Sequence, residues 1–283
     1  MLDDCIQYGD GSYIKAPKID IADTPAVGKN VRIVSRQPIT IGKRCRFGDN
    51  VDINVERLTI GDDFFHYEPG LRIGGGGSNF PDAIIEIGSR CVMHNNYINV
   101  AKPVIIGDDV GLSPDVQIIT HGFWNNPLKG HPYKYGPVTI GNGTIVGQRS
   151  MILPGVTIPP HSVIGAQSTV TKTLMIPHTI YAGNPAKEIR QLERPTMEQQ
   201  NEFIWMVITE FSKLYKRQTG KDVSIEFNAY PWLSLDGYFR VNLEEGTYAG
   251  DENEVTDAFR DFLRRYGVRV YTKRPFGNVM ELS

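Results

Sequence analysis

The sequence predicts a mainly β protein: a parallel solenoid of short strands followed by a small C-terminal α+β module. Three observations carry this. Aliphatic residues recur at every sixth position, with Ile140, Val146, Ile152, Ile158, Ile164, Val170 and Ile176 forming one run. Of the 29 glycines, 23 lie in residues 1–195, many directly after an aliphatic residue as in Ile60-Gly61 and Ile106-Gly107. Beyond residue 195 both features stop and helix-like spacing begins.

Six is an even period, so one unit returns a side chain to the same face of a strand, whereas a helix needs a repeat near 3.6. The fifth residue of each unit is small or apolar: Thr144, Ser150, Val156, Ser162, Ser168 and Leu174. The same frame occurs earlier in pieces, at Ile41, Phe47 and Ile53, at Ile87 and Met93, and at Ile106, Leu112 and Ile118. Glycine after the aliphatic anchor, or Asn or Asp nearby as in Gly48-Asp49-Asn50 and Gly141-Asn142, is expected to serve corners that need positive φ. Stacking the units would bury every anchor in one continuous core.

Composition excludes several function classes. The 283-residue chain has a net charge of −2, 40% hydrophobic and 22% charged residues, so it is neither disordered nor drawn to nucleic acid. No run of ~18 apolar residues exists to span a membrane. The N-terminal MLDDCIQYGD lacks the basic and apolar regions of a secretory signal. Cys5, Cys45 and Cys91 are odd in number and far apart, which argues against a disulfide framework or a Cys-based zinc site. Cys45 and Cys91 fall on the small-residue position, a packing role, and a reducing cytoplasm fits best.

Function is expected where the frame breaks, because loops on a rigid support carry most sites. Ile60 to Ile87 is 27 residues and holds Gly74–Gly77, Ile87 to Ile106 is 19, and Ile118 to Ile140 is 22. The last break, ITHGFWNNPLKGHPYKYGP, opens with His121 and continues with Phe123, Trp124, Asn125 and Asn126. Flat aromatic faces and amides suit the faces and hydroxyls of a sugar, and packing against a neighbouring subunit suits them equally. Among the other histidines, His66 occupies or adjoins an inward position, His161 and His178 sit beside prolines, and His131 lies in the extruded loop.

The run IGNGTI-VGQRSM-ILPGVT-IPPHSV-IGAQST-VTKTLM followed by YAGNPAKEIRQL resembles the hexapeptide-repeat acyltransferases, in particular the sugar and xenobiotic O-acetyltransferases. The resemblance covers roughly residues 30–192. It implies a left-handed parallel β-helix with three hexapeptides per coil, assembled as a homotrimer with sites between subunits. It implies acetyl-CoA as donor, no metal, and His121 as a general base that takes the acceptor's proton and returns it to the departing thiolate. It implies acceptor contacts at His94 or Asn95, in His94-Asn95-Asn96, beside Trp124, Asn125 and Asn126 of the loop. For the donor it implies Gln148, Ala166, Thr171 and Lys172, with Lys187 and Arg190 facing the phosphates. Related proteins often carry Ser or Gly where Gln148 stands, a departure that concerns this contact. An oxyanion donor and a group orienting His121 are also required; Asp115 lies six residues before His121.

The domain reading is a β-helix over 1–192, with a protruding loop at 121–137, and a small module over 196–283. Thr196 and Gln199 have capping-box spacing, and Ile204, Ile208, Phe211 and Tyr215 share a helical face. VSIEF (223–227) and YFRVNL (238–243) read as strands, Val255 to Tyr266 as a second helix ending at Gly267, and VRVYT (268–272) as a final strand. Tyr230 and Trp232 face a ligand or fill a core. The module's 11 basic and 14 acidic residues argue against nucleic acid, leaving acceptor binding, docking or trimer stabilisation open.

The activity so implied is acetyl transfer from acetyl-CoA to a hydroxyl or amino group of a sugar or saccharide. The rivals are an antibiotic-inactivating acetyltransferase and a non-catalytic β-helix scaffold carrying an interaction module. A γ-type carbonic anhydrase would need a third His at the right spacing from His94 and His121.

Overall fold

In the computed structural model residues 4–75 and 78–274 are described. Gly76 and Gly77 of the predicted glycine run fall outside them. Backbone contacts divide the chain into two compact units, Met1–Leu192 and Glu193–Ser283.

The first unit is a parallel β-helix with three faces. The chain passes from face one (beginning Ser12–Ala16) to face two (Ile19–Ile21) to face three (Ala26–Val27), then returns to face one at Arg32–Ser35 and repeats. Strands of two to five residues pair in parallel with the coils below and above, as Ile73 does with Ile53 and Ile98. An antiparallel strand closes each end: Asp4–Gly9 on face one and Ala186–Gln191 on face three.

The six-residue frame is the core of this unit. Ile140, Val146, Ile152, Ile158, Ile164 and Val170 are all buried, and so are the earlier anchors from Ile41 to Ile118. Each contributes about 1.5–3 kcal/mol relative to exposure. The small positions are buried too, with Ser150 Oγ donating to the Gly165 carbonyl at 2.9 Å and Cys91 Sγ to the Gly107 carbonyl at 3.1 Å. Ile176 departs from the expected run. It is exposed, because the chain leaves the coil after Val170 and the next face-three position is filled by Tyr181, whose hydroxyl bonds the Ile176 backbone.

The corner glycines act differently from expectation. Gly42, Gly61, Gly88, Gly107, Gly141, Gly147 and Gly165 do not have positive φ. A Cβ on Gly141 would stand 2.5 Å from the Pro160 nitrogen, and one on Gly147 would stand 2.6 Å from the Ala166 nitrogen. The glycine is needed because the next coil's backbone lies against it. Positive φ falls two residues later, usually on a non-glycine: Arg44, Asn50, Asp63, Arg90, Asp109, Arg149 and Gln167.

In the second unit, helix α1 (Met197–Thr219) starts at the predicted Thr196/Gln199 capping box and ends at Gly220 with φ 71°. Helix α2 (Glu254–Leu263) runs into a 3-10 turn that stops at Gly267. The sheet between them differs from expectation. It has four antiparallel strands, Ile225–Ala229, Trp232–Leu235, Phe239–Asn242 and Thr247–Ala249, so two strands were not foreseen. Residues 268–272 form no strand; their backbone bonds include Val268 to Leu263 and Tyr271 to Gly246, the Thr272 hydroxyl accepts from Arg260, and Val270 is packed into the core. Tyr230 packs against that core, and Trp232 stays partly exposed beneath the Arg240 guanidinium.

Candidate active site

The three breaks in the repeat emerge at the same edge, between faces one and two. Residues 74–75 leave after Arg72–Ile73 and 78–83 return to the next face, residues 99–103 leave after Tyr97–Ile98 in the next coil, and residues 119–137 after Gln117–Ile118 in the coil beyond. Everywhere else at this edge the corner takes only one to four residues, apart from the last coil, where the solenoid ends.

His121 stands at the foot of the longest extrusion. His121–Gly122 pairs antiparallel with Lys134–Tyr135, which makes the loop a short ribbon with His121 opposite Tyr135. The tip is a 3-10 turn, Pro127–Lys129, capped by Asn126 and closed by Gly130 at φ 84°. The imidazole is stacked on Tyr135, with ring centroids 5.7 Å apart, and tilted against Phe123 at 5.3 Å. Tyr135 meets Phe80 of the 74–83 loop edge-on at 6.3 Å, so the two extrusions share an aromatic wall.

Asn99 anchors the ring. His121 Nδ1 lies 2.8 Å from Asn99 Oδ1. The amide orientation follows from its neighbours. The Ala101 and Thr120 backbone N–H groups and the Thr120 hydroxyl all point at Oδ1, and donors of this kind require an oxygen. Asn99 Nδ2 donates to the Gly75 carbonyl, which Tyr97 Oη also reaches at 3.2 Å. Because Oδ1 is an acceptor, Nδ1 carries the proton and Nε2 is left as the basic nitrogen. Partial burial holds the His121 pKa below its ordinary value, which favours the neutral imidazole. Sequence reasoning missed Asn99. Its one signal was the break between Ile98 and Val104, where a buried amide replaces an apolar anchor.

The other expected residues are distributed as follows. Trp124 is 92% exposed, and Asn125 and Asn126 are exposed beside it, with Asn126 Oδ1 engaged as the cap of the turn. His94 and Asn95 lie on a different edge, between faces three and one, and the structure does not bring them to His121 within this chain. Asn95 bonds Asp115 twice, at 2.6 and 3.0 Å, and His94 faces Glu68 at 3.7 Å. Asp115 is therefore not the group that orients His121. His66 is inward, as expected: its Nδ1 accepts from the Gly48 N–H and burial lowers its pKa to about 4. Gln148 and Ala166 are exposed on successive corners of the face three–one edge, while Thr171 and Lys172 are exposed on the face one–two edge above His121. Lys187 and Arg190 are exposed on the closing strand, and Lys172, Lys187 and Arg190 have no carboxylate partner among the described residues.

Residues 137–172 match the family described as bacterial transferase hexapeptide (six repeats). Over 92 residues the chain is 41% identical to the galactoside O-acetyltransferase of Escherichia coli K12, covering 31% of this chain and 44% of that protein. The chain thus spans less than half the length of this relative. The polysialic acid O-acetyltransferase OatWY shares the fold at TM-score 0.51, with 21% identity over 68% of this chain and 94% of that one. A galactoside acetyltransferase solved with coenzyme A is 31% identical over 46% of this chain and 66% of that one, at TM-score 0.36. No helix among the described residues is long and apolar enough to cross a membrane.

Proposed function

We propose that the chain is an acetyl-CoA-dependent acetyltransferase acting on a hydroxyl of a saccharide, with His121 as general base on a left-handed β-helix. The observation that carries this reading is His121 held through Nδ1 on Asn99 Oδ1 at the foot of the extruded loop, with Nε2 free. The named acetyltransferase relative of the repeat region supports the reaction class.

In this reading Nε2 of His121 takes the acceptor's hydroxyl proton as that oxygen attacks the thioester carbonyl. The imidazolium, stabilised by Asn99 Oδ1, then returns the proton to the thiolate as the carbon–sulfur bond breaks. A base of this kind contributes about 10²–10⁴-fold. Trp124, Asn125 and Asn126, with His94 and Asn95 of a neighbouring copy, are assigned to the acceptor. Gln148, Ala166, Thr171 and Lys172 are assigned to the pantetheine arm, and Lys187 and Arg190 to the phosphates. Those cations fit this role because no carboxylate of the described residues engages them. A homotrimer would bring the two sets together across its interfaces.

The test is CoA release from acetyl-CoA in the presence of sugars and saccharides across pH. Release should depend on the acceptor. Its acidic limb should lie below pH 6.5, the ordinary His value, because the neutral imidazole is the active form and its pKa is lowered. Acceptor-independent release, or a limb above that value, would overturn the assignment.

A further inference from the structure

The three edges of the β-helix differ in charge. On the face two–three edge the corners carry Lys43, Arg44 and Arg90 against Asp23, Asp62, Asp63, Asp108 and Asp109. Much of that charge is closed within the edge. Arg44 forks onto Asp63 at 2.7 and 2.8 Å, and Arg90 onto Asp109 at 2.8 and 2.9 Å. The face three–one edge carries Lys29 and Arg149 against Asp49, Glu68 and Asp115. The face one–two edge is the opposite case. It carries Lys18, Arg36, Lys102, Lys129, Lys134 and Lys172 against Glu56 and Asp82 alone.

The cations on this edge are largely left without carboxylates. Lys102 pairs with Asp82 at 2.5 Å. Arg36 is held by neutral groups: the Val55 carbonyl at 2.8 Å and the Asn54 and Asn79 side-chain oxygens at 3.1 Å each. Lys18, Lys129 and Lys134 are exposed with no ion pair among the described residues. The extruded segment 119–137 contains no Asp or Glu. In a chain of net charge −2, this concentrates positive potential on the one edge that holds His121. Lys172, above His121, is taken by the donor in the reading already given. The others lie in the loop or below it. From the Lys18 corner to the His121 corner is five coil steps, or roughly 24 Å at the usual strand spacing. Exposed rings interrupt the charge: Phe80 and Phe123 near the imidazole, and Tyr133 farther out.

A single neutral sugar at His121 would use none of the lower cations. A chain of sugars bearing carboxylates would meet cations along its length and rings at its reacting end. We propose that this edge binds an extended anionic glycan, so that the acceptor is a carboxylate-bearing oligosaccharide or polysaccharide. This rests on the acetyltransferase reading of His121 for its reacting end, but the binding it describes is measurable without turnover.

The test is calorimetric titration of the full chain, without acetyl-CoA, with oligomers of galacturonic acid and with the same oligomers after reduction of their carboxyls. The charged oligomer should bind about tenfold more tightly, and the advantage should shrink as salt rises. Lys129→Glu with Lys134→Glu should remove most of it, Lys18→Glu a smaller part, and Lys43→Glu on the opposite edge none. Equal affinity for the reduced oligomer, or binding indifferent to these reversals, overturns the proposal. So does displacement of the oligomer by CoA, which would give the edge to the donor. Equal binding of a DNA oligonucleotide would give it to phosphate polyanions and also overturn the proposal. Turnover separates the two readings. Charged oligomer that binds without acceptor-dependent CoA release leaves the edge assignment standing and removes the acetyltransferase. Release with neutral sugars alone does the reverse.

Discussion

Two edges of one β-helix are built from the same six-residue unit and behave in opposite ways. On the face two–three edge every corner is short, a glycine lets the next coil close down, and arginines pair with aspartates one coil away. On the face one–two edge the chain is extruded twice, rings and cations stand in solvent, and His121 is held by an amide 22 residues back. The difference teaches that regularity here has a local use. Where coils are in register, polar groups are satisfied by the neighbouring coil. Where register is relaxed, some of them, such as Lys129 and Lys134, stand in solvent without an ion pair among the described residues.

The largest way to break this comparison is at His121. His121→Ala should lower kcat/KM by roughly 10²–10⁴, or about 3–5 kcal/mol, with Tm unchanged, since the ring is half-exposed. A matching loss of Tm would make it a structural histidine. His66 should behave in the opposite sense. It is buried and neutral, with its pKa pushed down to about 4 from 6.5. The unfolded chain binds the proton first, so stability is full above pH 6.5 and declines by about 3 kcal/mol as pH falls toward 4. Denaturant titration of His66→Gln across this window should show a flatter pH dependence.

Next in size are the corner glycines. Gly141→Ala places a Cβ against the Pro160 backbone and should cost about 1–3 kcal/mol. Gly122→Ala, in the extruded ribbon with no atom within 4 Å of its Cβ, should leave Tm unchanged. Equal effects would mean that the two edges are packed alike. The smallest effect is at the ion pairs. Arg44→Ala should cost about 1 kcal/mol by removing a forked, partly buried partner of Asp63, whereas Lys129→Ala should be neutral to stability by chemical denaturation.

The fold was legible because a period survives in the letters: each anchor from Ile41 to Val170 reports the same buried position. His121 stands out as a candidate in the sequence because it sits where the period fails. Asn99 does not, since its contact with His121 arises only when two coils stack. The positive-φ corners were read correctly where Asn or Asp holds them, as at Asn50, Asp63 and Asp109, but the glycine after the anchor was not, because a clash with the next coil leaves no trace in local sequence. In the second unit, the alternation of VRVYT resembled a strand, but these residues pair with no strand of the sheet, and only Val270 and Thr272 among them are buried. The strand at Trp232–Leu235 begins within the run NAYPWL, whose rings were read as facing a ligand or filling a core and not as part of a strand.

One further consequence follows from the stacking glycines. A coil that fits its neighbour so closely on two edges fixes the vertical position of every strand without help from the third. The third edge can then lengthen, shorten or change composition without disturbing the rest. Exchange of segments 74–83 or 119–137 for loops of other lengths should therefore change what the protein recognises while leaving the stack of coils intact. The molecule is in this sense a rack with interchangeable fittings, and the glycines are what make the rack rigid.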